Sequence, residues 1–321
     1  MKVLLALLVA AVALPVAAQD AANYPSKPIH VVIPFPPGGA TDVITRRIGE
    51  RLTQKWGQPV IVENKPGANT VIGTEAVYRA PPDGYTILMT SPAGLVQLPP
   101  LMPTLPYNPE RDFMPLTQIA EVPTALVVPV ALPVKSVKAL ADYLKANPGK
   151  TAYGSLGLGS TLHIYGEAFR RQVGADTVHV PYKGDAPAMT DLYGGRIQYL
   201  FNNPVSAIGA AKGGKVHILA VTGEQRLPAI PEVPTMAQAG YRGFEVVGWF
   251  AFFARSQVPR PIAEKLHGAL SEIIRSPDMS EFLRERGTLP TGIGLGEFAD
   301  KVAQERRVWA RLIKENDIRL E

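Results

Sequence analysis

One arrangement occurs twice along the sequence and restricts the fold more than any other feature: an apolar run, a glycine turn, then a helix start. The first copy is Ile29-His30-Val31-Val32-Ile33 followed by Pro34-Phe35-Pro36-Pro37-Gly38-Gly39-Ala40-Thr41-Asp42. The β-branched run reads as a buried strand. Val43, Ile44, Ile48, Leu52 and Trp56 then recur at helical spacing. The second copy is the short strand Thr151–Ser155 and the turn Leu156-Gly157-Leu158-Gly159. Ser160 and Thr161 follow as helix-start residues, and Leu162, Tyr165, Ala168 and Phe169 form an apolar helical face. Such a turn aims backbone N–H groups at an anion. The first four amides of a helix lack internal partners, and the helix dipole adds partial positive charge there. Glycine lets a ligand come close to the backbone. Either turn alone is the common glycine bend between strand and helix. Two of them suggest two lobes gripping one anionic ligand.

The remaining chain predicts an α/β fold. Strands at 59–64 and 85–90 alternate with helical patterns, a βαβαβ beginning and hence a parallel, doubly wound sheet. Ligands of such sheets sit beyond the carboxyl ends of the strands, so the loop that begins at Ser91 is a candidate wall. Residues 116–130 hold two apolar runs broken by Glu121-Val122-Pro123-Thr124, which reads as a crossing into a second lobe. Residues 227–234 are proline-rich and read as a second crossing. The expectation is a discontinuous first lobe, residues 24–125 plus 226–321, and a second lobe, 126–225. Two crossings form a hinge suited to closure.

Residues 1–18 stand apart. Lys2 precedes a run of Leu, Val and Ala that ends in Val16-Ala17-Ala18. That is the pattern of a secretory signal peptide cleaved near Ala18, too short for a membrane span. No cysteine is present. Disulfides and a lipid-anchored cysteine are therefore excluded, and the periplasm fits best. The chain is 46% hydrophobic and 19% charged, with formal charge +5, which suits steering of small anions. Basic residues such as Arg46-Arg47 and Arg306-Arg307 are scattered on helical faces and form no nucleic-acid surface.

Catalytic patterns are wanting. The sequence has no H-E-x-x-H and no G-x-S-x-G. Gly154 and Gly159 have P-loop spacing, but Ser160 stands where the lysine belongs. Neither turn fits a dinucleotide fingerprint. None of the five histidines is paired at metal-ligand spacing. His163 falls in the first turn of the second helix, where local bonding at the helix end and a place beside a ligand stand about equal. No metal and no cofactor are expected.

Longer motifs narrow the reading. Tyr24-Pro25-Ser26-Lys27-Pro28-Ile29 with Pro34 to Asp42 closely resembles the Bug family, the periplasmic receptors of tripartite tricarboxylate transporters. The resemblance continues through Val62 to Ala68, Pro82-Asp83-Gly84-Tyr85-Thr86, Leu105 to Pro109, Val178 to Gly184 and Val233-Pro234-Thr235-Met236. It implies a two-lobed periplasmic binding protein closing on a carboxylate. By that resemblance Gly39, Ala40 and Thr41 of one lobe and Gly159, Ser160 and Thr161 of the other hold the carboxylate. Phe35 walls the site and Asp42 fixes the first loop. Ser91, Ser155, His163, Asn202 and Asn203 complete the expected lining. Family members often carry Phe-Asp-Asn where this chain reads Phe201-Asn202-Asn203. With that carboxylate gone and the loop Ser91 to Val96 more apolar, the expected ligand is an apolar-bodied carboxylate, aliphatic or aromatic, rather than citrate or an amino acid. The expected partners are integral-membrane permease subunits, with the receptor itself a monomer.

Two other readings compete. Ser160 and His163 lie three apart and could serve a hydrolase, although no orienting carboxylate is evident. A receptor that presents its closed form to a membrane kinase would need the same closure as a transport receptor.

Overall fold

The computed structural model describes residues 23–320. The leader assigned to residues 1–18 lies outside the described residues. The chain runs β1 (Ile29–Ile33), α1 (Ala40–Trp56), β2 (Val60–Asn64), α2 (Val71–Arg79), β3 (Thr86–Thr90), α3 (Pro109–Asp112) and β4 (Phe113–Val122). It passes into a second lobe with β5 (Ala125–Pro129), α4 (Val137–Ala146), β6 (Thr151–Ser155), α5 (Thr161–Val173), β7 (Thr177–Pro181), α6 (Asp185–Tyr193), β8 (Tyr199–Asn202), α7 (Pro204–Lys212) and β9 (Val216–Val221). It returns with β10 (Gly248–Arg255), α8 (Arg260–Arg275), α9 (Pro277–Arg284), β11 (Leu289–Pro290) and α10 (Leu295–Glu315).

The first sheet has the order β11-β4-β10-β3-β1-β2, and the second β7-β6-β8-β5-β9. β1 to β3 are parallel as the βαβαβ pattern requires, but the other half of the first sheet is antiparallel. The reason is connectivity. β4 carries the chain out of the lobe and β10 carries it back, so the two run in opposite senses. β10 lies between β3 and β4 and is covered on both faces, hence its nearly unbroken apolar sequence.

Alternation along the strands sorts the core. Ile29, Val31 and Ile33 face α1 and α8 through Ile44, Ile48, Leu266 and Leu270. Val32, Leu88 and Phe253 face the other way, in a cluster that continues into the second lobe through Trp309, Tyr165, Phe201 and Phe244. α10 spans the seam: Trp309 lies 5.6 Å from the ring of Tyr165 on α5. The lobes therefore share one apolar layer as well as the two crossings.

The crossings are bonded to each other. Thr124 N donates to Thr222 Oγ1 at 2.9 Å, and Thr222 N donates to Thr124 O at 2.8 Å. Leu227, Ile230 and Val233 pack with Val127 and Val216 of the second lobe, so the return to the first sheet is complete only at Gly248. A turn of π geometry at Ala93–Gln97, the short α3, the helix α9 and β11 carry no clear sequence signature and emerge only from packing.

Candidate ligand-binding site

The first turn is built as an immobilised, uncapped helix start. Gly38 has φ +82, which a side chain would resist. Gly39 is the N-cap of α1 and offers no side-chain acceptor, so the amides of the first helical turn stay free for a ligand. Asp42 holds the loop from behind. Its carboxylate accepts from Gly38 N at 2.9 Å, Arg46 Nε at 3.0 Å and Asn64 Nδ2 at 3.0 Å. Asn64 also donates to Phe35 O at 3.1 Å. The Arg46 bond, against the opposing effect of burial, keeps the Asp42 carboxyl below the usual range. Asp42 is buried, whereas Pro36 to Ala40 are exposed and the Phe35 side chain is half-buried.

The second turn satisfies itself differently. Ser160 is the N-cap of α5 and its Oγ accepts from His163 N at 3.3 Å while donating to Gly157 O at 2.7 Å. Gly159 N donates to His163 Nδ1 at 3.1 Å. The His163 ring stacks on His179 with centroids 4.3 Å apart, and His179 stacks on Tyr153 at 4.9 Å. Ser155 Oγ meets His179 Nε2 at 2.7 Å. Burial pushes His179 down to about 4, with His163 beside it adding to the effect, and burial also lowers His163. Both rings are therefore neutral at neutral pH. They line a cavity of about 330 Å³ together with Glu167, Arg170 and Arg171.

The two turns flank one segment of the first lobe, Ala68–Thr70. On one side α2 sits so tightly on the first turn that a Cβ on Gly73 would lie 2.8 Å from Pro34 Cβ. On the other side Asn69 Nδ2 donates to Leu158 O at 2.9 Å. Gln97, fully buried at the end of the π turn, donates from Nε2 to Thr161 Oγ1 at 2.9 Å. Ser91 stands at the start of this wall, with its Oγ 3.4 Å from Ala93 N.

At the carboxyl end of β8, paired with Ala125 at the outgoing crossing, Asn202 is fully buried, and its Nδ2 contacts Met189 Sδ at 3.0 Å and Ser206 Oγ at 3.4 Å. Asn203 caps α7 by accepting from Val205 N at 2.9 Å. Ser206 Oγ donates to Asp185 Oδ2 at 2.7 Å, and Asp185 Oδ1 is buried without a hydrogen-bond partner. Sequence reasoning passed over Asn69, Gln97 and Asp185. Gln97 had a signal, as the lone polar residue in the run Ala93 to Leu98. Asn69 and Asp185 had none, because a surface turn and a helix start are ordinary places for Asn and Asp.

The chain matches the model of the tripartite tricarboxylate transporter family receptor over residues 44–318. It is 35% identical over 312 residues to protein BugT of Bordetella pertussis, covering 97% of this chain and 95% of that one. Among solved structures it is similar to Rpa4515 of R. palustris with adipate, at 33% identity and TM-score 0.85, covering 92% of this chain and 99% of that one. It is also similar to MatC of Rhodopseudomonas palustris with bound malate, at 30% identity and TM-score 0.80, covering 90% and 100%. The relatives are solute-binding proteins, which removes the hydrolase reading of Ser160 and His163. Strand order, paired glycine turns and these likenesses agree, and the chain belongs to the Bug-type receptors of tripartite tricarboxylate transporters.

Proposed function

We propose that the protein is exported, loses its leader near Ala18, and captures a dicarboxylate with an apolar body between its lobes. It then delivers that ligand to integral-membrane permease subunits as a monomeric periplasmic receptor. The observation that carries this reading is the first turn: a helix start with no capping side chain, held rigid by Asp42 and open to solvent. Amides of Gly39, Ala40 and Thr41 would take one carboxylate from this side, with Ser160 and Thr161 approaching from the other. Phe35 and Leu158 supply apolar surface around them. In this reading residues 24–125 and 226–321 move as one lobe and 126–225 as the other, about the Thr124–Thr222 pair.

Magnitudes allow it. Hydrogen bonds to a charged group contribute roughly 1.5–3 kcal/mol each. Micromolar binding needs about 8 kcal/mol. Four such bonds with burial of an apolar body reach that after ordering losses. The bound adipate of one related structure has this chemistry.

Asp185 favours a second reading. Its partnerless oxygen at the start of α6 would accept from a hydroxyl or ammonium on the ligand, and malate is bound in another related structure. Calorimetric titration with adipate, an aromatic dicarboxylate, malate, aspartate and citrate separates the two. Adipate or the aromatic compound binding most tightly supports the first reading; malate doing so supports the second. Tight aspartate binding with no response to the others rejects the apolar-bodied ligand. Recovery of permease subunits from ligand-loaded membranes, rather than a sensor kinase, tests the partner.

A further inference from the structure

Three consecutive non-glycine residues, Ala68, Asn69 and Thr70, have φ of +45, +46 and +80. Only Asn among them adopts this region with any ease. Such backbone persists where its surroundings over-determine it, and it gathers at clamps and switches. Here the surroundings are visible. Thr70 is buried, and its carbonyl accepts from Thr74 Oγ1 at 2.9 Å. The segment precedes α2, which is pressed against Pro34. The result is that Asn69 is held out from the first lobe with its amide on the Leu158 carbonyl. Leu158 lies two residues before Ser160, and Thr161, the partner of Gln97, lies one residue after it. The two first-lobe amides thus straddle the N-cap of α5. The fit is close: a Cβ on Gly159 would lie 3.0 Å from Leu98 Cδ2 and 3.2 Å from Asn69 Nδ2.

We propose that Asn69 and Gln97 form an inter-lobe clasp that holds the second turn against the first lobe and biases the receptor toward closure before any ligand is bound. They are positioning residues, and the strained backbone at 68–70 is the device that aims one of them. A clasp of this kind raises apparent affinity by keeping the competent state populated, whatever the ligand body. The inference rests on reading the space between the two turns as the ligand site, but its test does not require a ligand.

The test uses the full mature chain, which has no native cysteine, with spin labels at Gln54→Cys and Lys145→Cys, both exposed and one on each lobe. Inter-lobe distances are measured by pulsed electron resonance without ligand and then with adipate. Asn69→Asp keeps the size but removes the donor, and Gln97→Met keeps the length but removes both polar atoms. Each should lower the ligand-free closed-to-open ratio about five-fold, the effect of one ordinary hydrogen bond. Asn69→Gly relieves the backbone strain while deleting the amide. It should open the lobes with a melting temperature equal to or above that of the wild type. Unchanged distance distributions in Asn69→Asp and Gln97→Met overturn the clasp. So does an Asn69→Gly protein that melts lower yet stays as closed as the wild type, because that is the behaviour of a purely structural residue. Opening in the variants alongside failure of adipate to bind leaves the clasp standing and rejects only the ligand reading.

Discussion

Gly159 donates its backbone N–H to Nδ1 of His163 at 3.1 Å, which makes the second glycine turn and the first turn of α5 one bonded unit. A ring nitrogen that accepts this bond carries no proton, so His163 is the neutral tautomer with hydrogen on Nε2. Protonation at Nδ1 would set a donor against a donor and free the turn. Burial lowers the His163 pKa below the ordinary 6.5, so the bond survives through neutral pH. Affinity for whichever carboxylate binds in the titrations proposed above should hold steady from about pH 8 to about 6.5 and fall below that. His163→Asn keeps an acceptor that does not titrate and should flatten the profile. Calorimetry across this range on both proteins checks it.

Asp42 is buried behind the first turn and holds it by bonding Gly38, Arg46 and Asn64. Asp42→Ala should weaken ligand binding by about ten-fold or more through loss of a fixed loop, on the scale of one hydrogen bond to a charged group. Its folded pKa is lowered, so the stability it contributes is present above its unfolded pKa and is lost as pH falls through the folded one. Titration of the variant at neutral pH, where the fold persists, reads the affinity change directly.

Gly166 on α5 admits the ring of Tyr153. A Cβ there would lie 2.1 Å from Tyr153 Cε2. Tyr153 has little room to yield, being stacked on Tyr199 at 5.3 Å and bonded to Glu167 at 2.6 Å. Gly166→Ala should therefore destabilise the fold by roughly 1–3 kcal/mol or more, read as a lower urea midpoint. The helix preference of alanine would push the other way by about 1 kcal/mol, so an unchanged midpoint would mean that the Tyr153 stack gives way easily.

Glu305 on α10 accepts from Trp249 Nε1 at 2.6 Å where the chain re-enters the first sheet. Lys301 stands 4.0 Å from it and bonds Glu121 at the outgoing crossing at 2.5 Å. Burial raises the Glu305 pKa from 4.5 to about 7, the Trp249 bond opposing. A carboxyl with a raised folded pKa stabilises fully below its unfolded value, and that stability is lost as pH rises through the folded one. Stability should thus carry a declining contribution between about pH 4.5 and about 7, worth roughly 3 kcal/mol and read as a falling melting temperature. Glu305→Gln should remove the decline and be the more stable protein at about pH 8, as seen by calorimetric melting at several pH values.

Local sequence carried most of the architecture. The period of Ile44, Ile48 and Leu52, the alternation in β1 and the glycine turns announce strand, turn and helix, because each depends on neighbours within a few residues. The Pro123-Thr124 break falls between β4 of the first sheet and β5 of the second. Parallel strands were legible in the βαβαβ run, but the antiparallel half of the first sheet was not, since it follows from where β10 inserts. Which amides remain free is also a tertiary matter. By composition Gly159 is expected to offer its N–H to a ligand, yet that N–H is taken by His163, and Asn202 is sealed against Met189. The clasp residues lay furthest from sequence reasoning. Asn69 and Leu158 are 89 positions apart and Gln97 and Thr161 are 64, so only the closure of one lobe on the other brings them within hydrogen-bond reach.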